Sequence, residues 1–301
     1  MINSERKEEY FRAIKLNNTI RSIFNRAGVM EDVFEKDLCT FSKSEIDDMY
    51  AYLAYKTETK YSQVNREYKL YTEWCIKNGY CKDNPYASYT YKDFGQFINR
   101  EAQAERFVSR EELLTAIKAL QNPRDQFILL SLYEFGKSKD YINIAEFNTA
   151  NINYDTDTVI LPSGHEVKIS RELIGYAIEA RDEKFYYKTG YDVVTELKSV
   201  GSGDVFKLVK NGVEKIDGKG MVKRIAKIVK RSIQYVGLND EISGTTLMES
   251  GIFEFIRQRC AELKMGYREY IYSDLFNEVK KQYPFFSTRN TTFWNDFKSY
   301  I

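Results

Sequence analysis

Apolar positions recur at helical spacing along most of this chain, and true alternation appears in only one stretch. Residues 1–40 place Phe11, Ile14, Ile20 and Phe24 on a single stripe, which predicts helix. A sharper signal begins at Ser42. Ser42 and Glu45 stand three apart, as in a capping box, and Ile46, Met49, Tyr50 and Leu53 follow at helical intervals. The next segment, YSQVNREYKLYTEWCIKNG, carries Val64, Tyr68, Tyr71 and Cys75 on one face, with Gly79 where a helix would stop. Asn84-Pro85 marks a turn, and residues 86–106 read as a further helix and a linker.

A second capping box, Ser109 with Glu112, opens LLTAIKAL. Asn122-Pro123 breaks that helix, and the strongly apolar QFILLSLYEFG follows, ended by Gly136. The period then changes. Val159 and Leu161 alternate with Thr158 and Ile160 ahead of a Pro162-Ser163-Gly164 turn, which predicts a β-hairpin or small sheet over 151–169. Helix is predicted again over 171–187, a short strand over Val205 to Leu208, a helix in GMVKRIAKIVKRSIQYVG, and helix through the aromatic last sixty residues. The expected class is mainly α with a small β-sheet (α+β). A boundary within residues 100–108 gives domains at 1–104 and 105–301.

Composition narrows the chemistry. The 301 residues suffice for two domains, and 43% hydrophobic with 30% charged residues supports a real core rather than disorder. Lys+Arg 45 against Asp+Glu 44 leaves a formal charge of +1, so any attraction for a polyanion must be local. No apolar run approaches the roughly 18 residues of a membrane helix, and MINSERKEEYFRAIK lacks a secretory apolar segment. A cytoplasmic protein without membrane contact is expected. The single histidine, His165, falls at the predicted turn, where exposure is the ordinary reading. Cys39, Cys75, Cys81 and Cys260 form no C-x-x-C pair and read as reduced core residues. No metal or cofactor is therefore expected. Gly212 to Gly220 fails the phosphate-loop spacing, and Gly201-Ser202-Gly203 lacks a third glycine, so both read as ordinary loops.

Positive charge is concentrated in places. Lys219, Lys223, Arg224, Lys227, Lys230 and Arg231 occur with no acid among them, while Ile225, Ile228, Val229 and Ile233 cover another face. A solvated helix face is the commoner meaning of such a run. In a chain balanced to +1, it also concentrates potential where a polyanion docks. A second set, Lys56, Lys60, Tyr61, Ser62, Gln63 and Arg66, surrounds a helix start and suits phosphate contact. Lys137-Ser138-Lys139 and the run from Ser287 to Thr292 add donors. Nucleic acid is the ligand these sets favour together.

With these residues in view, the chain resembles the tyrosine recombinase (phage integrase) family over most of its length. Residues 42–87 are similar to the family's helical core-binding (SAM-like) domain, and FVSREELLTAIKALQNPRDQFILLSLYEFG to the opening of its catalytic domain. The hairpin, the basic helix 219–236 and Ile242-Ser243-Gly244-Thr245-Thr246-Leu247 follow in the family's order. The resemblance implies a core-binding domain plus a catalytic-like domain that clamp double-stranded DNA. At the catalytic positions this sequence departs. The first arginine position holds Ser138, the hairpin lysine position Pro162, and the His-x-Leu-Arg box has Thr245 and Met248 at its histidine and arginine. The tyrosine position falls at Asn295, with Tyr283 or Tyr300 as alternative nucleophiles.

Phosphodiester attack needs preorganised cations, and losing one such donor costs about 3–4 kcal/mol, so losing two arginines removes most of the catalysis. The resemblance thus implies a non-catalytic, sequence-specific DNA-binding protein, a phage repressor or transcription regulator that maintains lysogeny. Its DNA contacts would be Lys56, Lys60, Ser62, Gln63, Asn65, Arg66, Lys137, Lys139, Lys219, Lys223, Arg224, Lys227, Thr245, Thr246, Arg289 and Asn290. Gln63, Asn65 and Arg289 would reach base edges. Two alternatives stay open: a divergent active recombinase, and a protein-interaction module on the same fold. The aromatic C-terminal segment either packs within its own chain, the ordinary reading, or swaps into a second copy to form a homodimer, and a regulatory peptide or protein is a further candidate partner.

Overall fold

The computed structural model describes residues 2–14, 18–55, 57–98, 104–138, 140–188, 194–199, 203–209, 218–287, 293, 294 and 297. The chain divides into two compact units, Met1–Glu101 and Ala102–Ile301.

The first unit contains α1 (Ser4–Ala13), α2 (Asn18–Phe34), α3 (Lys43–Leu53) and α4 (Glu58–Lys77). The capping box at the start of α3 forms: Glu45 N donates to Ser42 Oγ at 3.3 Å, and Ser42 N donates to Glu45 Oε2 at 2.8 Å. Ile46, Met49, Tyr50 and Leu53 are buried, as are Val64, Tyr68, Tyr71 and Cys75 on α4. Aromatic rings pack edge-on, Phe11 on Phe24 at 5.1 Å and Phe24 on Tyr71 at 5.3 Å. The core tyrosines also satisfy their hydroxyls. Tyr50 donates to Asn65 Oδ1 (2.6 Å), Tyr61 to Tyr50 O (2.9 Å), Tyr68 to Ile23 O (3.1 Å) and Tyr86 to Leu38 O (3.0 Å). The helix expected within 86–106 is instead two 3-10 segments, Pro85–Ser88 and Tyr91–Phe97. Asn84 and Thr90 each restart the chain with a side-chain cap or capping box, and the tight turns drop Tyr86, Tyr89 and Phe94 into one core.

Charge is buried here too. Lys7 is 0% exposed, and its Nζ lies 2.5 Å from Glu31 Oε1 and 3.3 Å from Asp37 Oδ2. Asp37 also accepts from Tyr71 Oη, Asn3 Nδ2 and Cys39 N, each at 3.1 Å, and Glu31 Oε1 accepts from Leu38 N at 2.9 Å. Burial pushes both carboxyls up. For Asp37, Lys7 and its hydrogen bonds outweigh that and hold it below the usual range, whereas Glu31 stays raised. Removing the ammonium leaves buried Glu31 without its cation and Asp37 with only Arg6, 3.6 Å away. Lys7→Met is expected to cost about 3–5 kcal/mol in chemical denaturation, and a loss under about 1 kcal/mol would show that the network is not needed.

The second unit contains α5 (Arg110–Ile117), α6 (Pro123–Glu134), α7 (Ile142–Ala145), β1 (Ile152–Asn153), β2 (Thr158–Ile160), β3 (Glu166–Lys168) and α8 (Arg171–Asp182). After these come β4 (Phe185–Tyr187), β5 (Val194–Ser199), β6 (Lys207–Val209), α9 (Gly218–Tyr235), α10 (Gly244–Leu263), α11 (Tyr267–Tyr272) and α12 (Asn277–Gln282). The central element is α6, buried on all sides from Arg124 to Tyr133 and packed by α8, α9 and α10. The alternating stretch forms an antiparallel β1-β2-β3 sheet that pairs Val159 with Val167. The class is therefore mainly helical with small antiparallel sheets.

A second sheet, β4-β5-β6, corrects the helix expected over 171–187. That helix ends at Asp182, and the strand Phe185–Tyr187 is held by Asn122, whose amide bonds both Tyr187 O (2.9 Å) and Tyr187 N (2.8 Å). The expected strand at 205–208 lies at 207–209, after buried Val205 and Phe206. Among the described residues, no helix is long and apolar enough to cross a membrane.

α10 and α6 meet with no clearance at Gly251, where a Cβ would lie 1.8 Å from Tyr133 O. Gly251→Ala must push the helices apart. A loss of about 1–3 kcal/mol or more is expected in urea unfolding, and a neutral result would mean that the helices separate freely.

Candidate nucleic-acid interface

On α9, the inner side chains Met221, Ile225, Ile228, Val229 and Ile233 are buried, which leaves Lys223, Lys227, Lys230 and Arg231 exposed and Arg224 half-buried. The helix is amphipathic, and its outer face is cationic without a compensating acid of its own. The side chain of Lys219 lies outside the described residues.

On α4, Thr57 caps the helix by accepting from Lys60 N at 3.2 Å. Lys60 is half-buried, its Nζ 5.9 Å from the Tyr55 ring centroid and 3.2 Å from Gln63 Oε1. Ser62 is half-buried, Gln63 is exposed, and the Arg66 side chain is 74% exposed with its Nε 3.7 Å from Glu67. Asn65 differs from expectation. It is buried, accepting from Tyr50 Oη and donating to Tyr86 O at 3.3 Å, so its amide is used inside the core and does not serve as a base contact. Lys56 lies outside the described residues.

The loop after α6 gathers several sequence-predicted positions. Gly136 turns the chain with φ +76, and a Cβ there would meet Met248 Sδ at 2.6 Å and the Tyr283 ring at 3.5 Å. Ser138 is buried, and its Oγ has no hydrogen-bond partner among the described residues. Half-buried Lys137 places Nζ 5.7 Å from the Tyr141 ring centroid; burial lowers its pKa, and Glu249 opposes the shift. The hairpin turn that holds Pro162 is tied to this loop region through Ser163 N, which donates to Asn143 Oδ1 on α7 at 3.2 Å. Thr245 is half-buried in the first turn of α10, one turn ahead of Met248.

Thr246 is a second correction. Its hydroxyl accepts from Ser243 N (2.7 Å) and donates to Ser243 O (3.1 Å), completing the α10 cap, so it is not a free donor for phosphate. Tyr283, an alternative nucleophile by sequence, is buried and donates to Tyr133 O at 2.9 Å, and burial pushes its pKa well above the ordinary value. Lys139, Arg289, Asn290, Asn295 and Tyr300 lie outside the described residues. His165 is exposed at the hairpin turn, as expected.

Sequence reasoning missed two polar anchors here, Asn143 and Gln282. Gln282 Nε2 donates to Glu134 O (2.8 Å) and Lys168 O (2.7 Å), joining α12 to α6 and β3. Neither residue stands in a motif, so only the fold identifies them.

The first 77 residues match the family model described as MrpR, N-terminal core-binding domain. This match covers α1 to α4, so the Lys60–Arg66 stripe lies within the matched segment. Three solved structures are similar over 97% of the chain. They are an integrase from mycobacterium phage Brujita (11% identity, 96% of its length, TM-score 0.37), XerA recombinase (12%, 91%, 0.43) and the Tn1549 transposon integrase in complex with circular intermediate DNA (11%, 97%, 0.39). No curated protein matches the chain.

Beside the basic face of α9 lies a cleft lined by Asp125, Tyr186, Arg231 and Ser232. Arg124 Nη2 pairs with Asp125 Oδ1 at 2.7 Å, and the adjoining Glu183 is raised by burial from 4.5 to about 7. A carboxyl with a raised folded-state pKa binds more protons folded than unfolded, so stability falls as pH rises from about 4.5 to about 7. Glu183→Gln should flatten that part of a pH series of melting temperatures, and an unchanged slope would remove Glu183 as its source.

Proposed function

We propose that this chain is a DNA-binding protein of recombinase fold that holds duplex DNA without cutting it, as a sequence-specific repressor would. The single observation that carries the reading is the α9 face, where Lys223, Lys227, Lys230 and Arg231 are exposed opposite the buried side chains of Met221, Ile225, Ile228, Val229 and Ile233. Lys60, Ser62, Gln63 and Arg66 on the core-binding domain add a second, weaker surface. Lys223, Arg224 and Lys227 would contact phosphate, and Gln63 would face a base edge. Lys56, Lys139, Lys219, Arg289 and Asn290 remain DNA contacts on sequence grounds.

Loss of cleavage is supported by the surroundings of Gly136. Met248 and Tyr283 press an apolar sulfur and a ring against the turn where a phosphate would need cations, and Ser138 supplies none. Lys137 is the cation nearest that turn in sequence. Burial of Phe286, Phe293 and Phe297 with Phe253 in one cluster favours packing of the C-terminal segment at home over exchange into a second copy. Relief of repression by a peptide or protein belongs to the same reading and has no site assigned to it.

Two measurements test the proposal. Removing one cation that neutralises a phosphate should lower the slope of log K against log salt by about 0.9. Lys223→Ala with Lys227→Ala should therefore lower it by nearly twice that on every sequence tried. Unchanged affinity and slope would remove α9 from the interface. On a nicked duplex no covalent protein–DNA adduct should accumulate. An adduct would establish instead an active, divergent recombinase, with its nucleophile outside the described residues or at Tyr283.

A further inference from the structure

The cleft beside α9 is assembled from three elements of the second unit. Asp125 comes from the first turn of α6, Tyr186 from β4 with Lys188 just beyond it, and Arg231, Ser232 and Tyr235 from the end of α9. It holds about 260 Å³. Ligand pockets run upward from about 300 Å³, so this space suits one small molecule.

The floor is polar and buried, with Asp125 and Ser232 each 4% exposed. Asp125 Oδ1 accepts from Arg124 Nη2 at 2.7 Å, and Oδ2 accepts from Tyr186 Oη at 3.2 Å. Arg124 also lies over the Tyr186 ring, 4.4 Å from its centroid, so carboxylate, hydroxyl and ring are fixed before any ligand arrives. Oδ2 keeps a lone pair for a further donor. Ser232 Oγ makes no hydrogen bond among the described residues, an unmet need in a helix side chain so deeply buried. At the mouth the character reverses. Lys188 and Arg231 are exposed cations, and the Tyr235 ring is 48% exposed.

We propose that this cleft binds a 5′-phosphorylated ribonucleoside. Arg231 and Lys188 hold the phosphate at the mouth, and the base stacks on the Tyr235 ring. Inside, the ribose hydroxyls donate to Asp125 Oδ2, and Ser232 Oγ donates to a ligand oxygen. An apolar ligand would strip water from Asp125 and Ser232 without replacing it. A bare anion would use the mouth and leave the floor empty. Only a ligand with an anionic end, a flat ring and hydroxyl donors engages all six residues. Neither the cleft nor its ligand requires that α9 hold DNA.

The experiment titrates the full chain by calorimetry with the 5′-monophosphates of adenosine, guanosine, cytidine and uridine, and with each nucleoside and inorganic phosphate as partial ligands. At least one nucleotide should bind, one molecule per chain, and more tightly than its nucleoside or phosphate by about tenfold or more. Its 2′-deoxy form should bind about tenfold less tightly, since a hydrogen bond to the carboxylate is lost. Ser232→Ala should weaken the nucleotide by about two- to twelvefold, the span of one neutral hydrogen bond. Arg231→Gln should weaken it by about tenfold while sparing the nucleoside. Binding by none of the four, inorganic phosphate binding as tightly as any of them, or full affinity in both variants would each overturn the proposal. The unsubstituted chain alone decides the first two, even where a variant fails to fold.

Discussion

The contact between α10 and α6 at Gly251 is the constraint from which the site around Gly136 follows. A glycine there lets α10 lie directly against the Tyr133 carbonyl, leaving no space for even a methyl group. With the two helices at that distance, Met248, about one turn earlier on α10, is carried under the Gly136 turn, and Thr245 sits a further turn back. The same Tyr133 carbonyl accepts the Tyr283 hydroxyl, so the end of α12 closes against the same turn. One close approach thus fixes Thr245, Met248 and Tyr283 around the Gly136 turn.

What was legible in the sequence is what local physics decides. The capping boxes at Ser42 and Ser109, the apolar stripes of α3 and α4 and the alternation around Val159 depend on neighbours a few residues away, and each forms. The β4-β5 pairing was not legible. Phe185, Tyr187, Val194 and Glu196 face solvent, so the strands carry almost no burial pattern, and Asn122, over sixty residues earlier, holds the edge. Asn65 and Thr246 illustrate the complementary error. A polar side chain on a helix looks available until the fold shows whether a backbone or a tyrosine has already claimed it.

The Lys7 network lies where it does for a physical reason. It lies where α1, α2 and α4 converge on the Asp37–Cys39 turn. Backbone groups at such a junction need partners, and charged side chains supply them: Lys7 donates to Ile2 O, while Glu31 and Asp37 accept from Leu38 N and Cys39 N. A core made of aromatic rings further along α4 needs none of this, since its hydroxyls find carbonyls one by one.

Charge in this chain is informative only through its placement. A formal charge of +1 says nothing of partners, yet folding sends the acid-free run of α9 outward while Lys7 and Arg124 go fully inward. The inward cations are matched to carboxylates at bonding distance, which cancels their field at the surface. The outward ones keep theirs and are screened only by salt. Met248 belongs to neither group: its thioether lies against the Gly136 turn, beside the Tyr283 ring. Thioether and aromatic ring therefore belong together.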